Sequence, residues 1–74
     1  MNREHYLHFA QIARQHRLNA KTHEKAGDKV LADCSIFQAL GIEQAVLDVA
    51  KRFHSTLNEV RFRQACNPDL PLTL

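Results

Sequence analysis

The 74-residue chain has no tryptophan and only two glycines, two prolines, two cysteines and one methionine. So few breakers, with 45% hydrophobic and 24% charged residues, exclude a collagen-like, low-complexity or disordered chain and describe one that folds. Cys34 and Cys66 are too few for a disulfide framework or a four-ligand zinc site, and neither belongs to a CxxC pair. That usage fits a reducing, cytoplasmic setting. No continuous apolar run reaches the roughly 18 residues of a membrane span, and MNREHYLHFA does not read as a signal peptide, so no membrane partner is expected. Also missing are a Gly-rich phosphate loop, HExxH and GxSxG, so the chain reads as a non-enzyme with no cofactor. The net charge is +2, smaller than a dedicated nucleic-acid binder usually carries.

A chain of this length is one domain, residues 1–74, and buries only about 60% of its unfolded surface. Small scaffolds commonly gain stability from a partner subunit, so self-association is expected. Residues 3–26 lack Gly and Pro and are rich in good helix formers, which predicts one long helix. Tyr6, Phe9, Ile12, Ala13 and Ala20 recur on it at helical spacing as a packing stripe. Gly27-Asp28 supplies a left-handed C-terminal cap followed by an N-cap, the signature of a tight helical hairpin.

The next helix is read over 28–40, with Val30, Leu31, Cys34, Ile36, Phe37 and Leu40 as its core-forming surface. After Gly41 a rotated stripe of Ile42, Val46, Val49, Phe53, Leu57 and Val60 predicts a separate helix over 42–66. A single helix with an interior Gly is the alternative, at a cost of about 1 kcal/mol. Asn67-Pro68 ends the helical part, and residues 67–74 read as an extended tail. Leu70, Leu72 and Leu74 alternate in that tail, to dock on another molecule, to fold back on this domain's core, or to stay disordered. The fold class is all-α: a helical hairpin or three-helix domain completed by homo-oligomerisation, with Tyr6, Phe9, Ile12, His16, Val49, Phe53 and Val60 at the interface.

The segment around Gly41 resembles the turn of a helix-turn-helix, with Ile36, Leu40, Ile42, Leu47 and Ala50 at the packing positions. That resemblance implies a nucleic-acid-binding regulator using this segment, with Gln44 and Arg52; the basic side of the first helix, with Arg14, Arg17 and Lys21, is the other surface that could contact phosphates. Against it, Phe37 stands where the motif needs a small residue, and Glu43 and Asp48 would face the phosphates. A helix cap with Ile42 folded back is the plainer reading of Gly41.

The first helix concentrates the basicity, with five Lys and Arg against Glu4 and Glu24. Leu7 and Leu18 lie opposite its main stripe among Arg14, Lys21 and Lys25, which reads as a surface for a protein partner. Four of the five histidines, His5, His8, His16 and His23, lie on this helix, and His5, His16 and His23 share one stripe beside Phe9 and Ile12. At a helix interface they would give a pH-sensitive association. Glu4, His5 and His8 lack further convergent ligands, so no metal is assigned. Cys34 is expected to be buried and Cys66 exposed. The expected function is a small non-enzymatic regulator or inhibitor that binds another protein through a helical face. Chains of this kind are common among phage- and plasmid-encoded regulators, an association of size alone.

Overall fold

Asn2 opens the structure, a computed structural model that describes residues 2–74, by capping the first helix. Its side chain accepts from the His5 amide while its own amide donates to His5 Nδ1, a reciprocal capping box. The helix α1 (Arg3–Lys25) ends at Gly27, whose φ of +79° only glycine adopts freely. There the Gly27 and Asp28 amides donate to the Glu24 and His23 carbonyls, closing a Schellman motif. Asp28 then caps α2 (Lys29–Arg52) by accepting from the Leu31 amide.

The helix α2 runs through Gly41 without interruption. The predicted break there, and the helices at 28–40 and 42–66, are therefore corrected. With no turn at Gly41, the helix-turn-helix resemblance also lapses. Gly41 faces open space, and one interior glycine is a small penalty against the bonds of a 24-residue helix. The chain reverses instead after Phe53. His54 takes the left-handed conformation at φ +53°, and the His54 and Ser55 amides donate to the Lys51 and Ala50 carbonyls, a second Schellman motif built without glycine. Asn58 caps α3 (Glu59–Ala65) by accepting from the Arg61 amide.

The helices α1 and α2 form an antiparallel hairpin, and α3 packs against α1. The seam between them is built from small residues: Ala10, Ala13, Ala20, Ala32, Ala39 and Ala50 are buried. Tyr6, Val46, Leu47 and Phe62 complete the core, the Tyr6 and Phe62 rings meeting edge to face at 6.3 Å. Tyr6 also donates to Ser55 Oγ at 2.8 Å, anchoring the 53–58 connection to α1. Tyr6 is thus spent on its own core and cannot serve the interface assigned to it. Val30, Leu31, Phe37 and Leu40, expected to be core, are exposed; Ala32, Ser35 and Ala39 hold those inward positions.

The tail folds back: Leu72 and Leu74 pack on the core, whereas Leu70 remains exposed. Both cysteine expectations reverse, because Cys34 is exposed and Cys66 buried. Burial pushes the Cys66 thiol up to about 12, and the neighbouring Glu43 carboxylate adds to that shift.

The result is a slab of 42 × 23 × 16 Å. Its radius of gyration of 12.8 Å exceeds the roughly 11 Å of a rounded chain this long. Its 5170 Å² of accessible surface likewise exceeds the roughly 4,700 Å² expected for its mass.

Candidate interaction surface

One charged cluster ties the three helices together. Glu43, fully buried on α2, accepts from Arg17 Nη2 at 2.7 Å and Nε at 3.2 Å, and from Arg63 Nη1 of α3 at 3.3 Å. A carboxylate taken out of water needs such partners, and here both of its oxygens are occupied. Glu43 therefore does not face outward, as expected from the sequence, and Arg17 is held inside the fold. Gln44 is also engaged, accepting from Arg63 and donating to Asp48.

The basic side of α1 clamps the C-terminal segment. Arg14 donates to the Ala65 carbonyl at 2.5 Å and to the Leu70 carbonyl, and Lys21 meets Asp69 at 2.6 Å. Of the five residues assigned to a protein partner, Arg14 and Lys21 are thus occupied within the chain, and Leu7 is half-buried. Leu18 and Lys25 remain exposed. Arg52, the remaining nucleic-acid candidate, is exposed at the end of α2, away from those occupied groups.

The side of the hairpin that carries α3 is filled along only part of its length. Beyond Arg63, towards Gly27, it leaves a groove of about 900 Å³ with Ala20, Ala32, Ile36 and Leu40 in its lining. Among the described residues no helix lies on the opposite side. At 3.6 residues per turn, α1 offers Phe9, Ile12 and His16 there, and α2 offers Leu31, Gln38, Ile42, Val49 and Phe53. Phe9 and Ile42 pack partly against the core; Leu31, Val49 and Phe53 are exposed. Five of the expected interface residues, Phe9, Ile12, His16, Val49 and Phe53, thus fall on one side of the molecule. Val60 does not, being exposed on α3.

A second apolar line runs along the outer ridge of α2. Val30 and Phe37, two turns apart, are 73% and 71% exposed, with Asp33 and Asp48 exposed on the same ridge. By length and composition alone α2 is long and apolar enough to cross a membrane, and 33% of its most apolar stretch is buried in this fold. Asp33 and Glu43 interrupt the stretch, so the sequence shows no continuous apolar run there.

Among the described residues no cluster of three or more metal-ligating side chains forms, and His5 Nδ1 serves the helix cap. The signal available for these surfaces was the alanine spacing at 10, 13, 20, 32 and 39, which marks the close seam and turns the larger residues outward. Comparison with protein-family models, with curated proteins and with solved structures finds no significant match to this chain.

Proposed function

We propose that this chain is a non-enzymatic binding module that acts as a regulator or inhibitor by covering a surface of a protein partner with the outer ridge of α2. The observation that carries the reading is the exposure of Val30 and Phe37 on the ridge of α2 that faces away from α1. Apolar side chains at i and i+7 are how a helix anchors in a groove, and an aromatic anchor with polar neighbours resembles an interface hot spot. Asp33 and Asp48 beside them favour a groove with basic rims. Basic residues of α1 support the same reading from the other direction: Arg14, Arg17 and Lys21 are committed to carbonyls and carboxylates of this chain, leaving less free charge for a phosphate backbone.

The test is capture of partners from nuclease-treated host lysate by the tagged protein, run in parallel with Phe37→Glu. A protein retained by the wild type and lost by the variant, with helical circular dichroism unchanged, supports the reading. Equal retention by both, or recovery of no protein by the wild type, overturns it.

A further inference from the structure

We infer that a second copy of this chain covers the side of the hairpin opposite α3, pairing two slabs into a four-helix layer. The inference rests on the reading of the chain as an interaction module and names the partner of one of its faces. Three observations carry it.

The first is electrostatic. Along this side α1 presents His5, Phe9, Ile12, His16, Asn19 and His23, and α2 presents Leu31, Gln38, Ile42, Ala45, Val49 and Phe53. None is Asp, Glu, Lys or Arg, although a quarter of the chain is charged; Arg52 marks the margin. In a two-fold interface the same patch meets itself, so any net charge would face its own sign. A strip without carboxylate, ammonium or guanidinium is self-compatible in a way that the α2 ridge, with Asp33 and Asp48, is not.

The second is area. The broad side of the slab measures 42 × 23 Å, which accommodates the roughly 800 Å² per partner of a stable specific interface. The α3 side is partly filled by α3 and crossed by the clamped tail, so only the opposite side offers that area uninterrupted.

The third is the layer count. A domain core lies between two layers of secondary structure, and this hairpin has only a short helix and a tail on one side. Its surplus surface and 16 Å thickness are those of a layer that lacks its opposite.

The mass in solution decides, by light scattering or native mass spectrometry from low to high micromolar concentration. The wild type should move to twice the 8.5 kDa of one chain. Val49→Glu with Phe53→Glu, both at exposed positions, should return it to a single-chain mass with its helicity intact. Gln38→Glu, a mild change at an exposed polar site, should weaken association by at least about tenfold, because each copy would place a carboxylate on an uncharged face. Val30→Glu, outside the face, should leave the mass doubled.

A wild type that stays at 8.5 kDa throughout overturns the inference, as does a mass doubled equally in the wild type and all three variants. So does a chain that stays single and binds phosphatidylcholine vesicles through this face. If the mass stays single while Phe37-dependent capture persists, the dimer fails and the binding module stands. If the mass doubles without such capture, the binding module fails and the self-association stands.

Discussion

Arg17 of α1 places two guanidinium nitrogens on one carboxylate oxygen of Glu43 in α2, at 2.7 and 3.2 Å, in a seam rich in alanine. Glu43 keeps 2% of its side-chain surface, Arg17 keeps 25%, and Arg63 reaches the other oxygen from a more open position. Removing one partner of a buried pair costs far more than the pair contributes, because a charge is left without compensation.

Arg17→Met should therefore destabilise the fold by about 3 kcal/mol. Arg63→Met, at a partner more than a third exposed and 3.3 Å away, should cost below about 1 kcal/mol. Urea denaturation followed by circular dichroism measures both, and equal losses would show that the two arginines share the carboxylate evenly.

Three backbone positions give opposite signs. Gly41 lies inside α2 with nothing near an added Cβ, so Gly41→Ala should stabilise by about 0.5–1 kcal/mol. Gly27 is held at φ +79°, so Gly27→Ala should destabilise by about 1 kcal/mol. His54 is left-handed without being glycine, and His54→Gly should stabilise by roughly 0.5 kcal/mol. Thermal melts suffice, since about 1 kcal/mol moves the midpoint of a domain this size by roughly 4–8 °C. A loss on Gly41→Ala would mean that the helix breaks there.

The two thiols should separate in a reactivity assay. Cys34 is exposed and should react promptly with a disulfide reagent, whereas Cys66 should react only on unfolding. Burial first, and then Glu43, push the Cys66 thiol from 9.0 to about 12. The folded chain thus holds that proton more tightly than the unfolded one. Its contribution to stability is full below pH 9.0 and is lost towards pH 12, and Cys66→Ala should make the alkaline decline shallower. Prompt reaction of both thiols in Cys34-containing native protein would contradict the burial of Cys66.

The start and end of α1, and the turn at Gly27-Asp28, were legible in the sequence because they are local: a cap side chain, a run of good helix formers and a left-handed glycine act within a few residues. The second reversal was not, because its left-handed position is filled by His54, and only the Ser55-Thr56 pair and the Asn58 cap announced it. Reading the hydrophobic pattern by size placed Phe37 and Val30 inside; close approach of two helices put alanines there and left the large residues outside. The burial of Glu43 depends on arginines from two other helices arriving together, so no stretch of sequence contains it. Local chemistry by itself determined that the chain is helical and where its first hairpin turns. Which faces look inward was decided only by the tertiary fold, because helix packing selects for close contact and satisfied charge as well as for hydrophobicity.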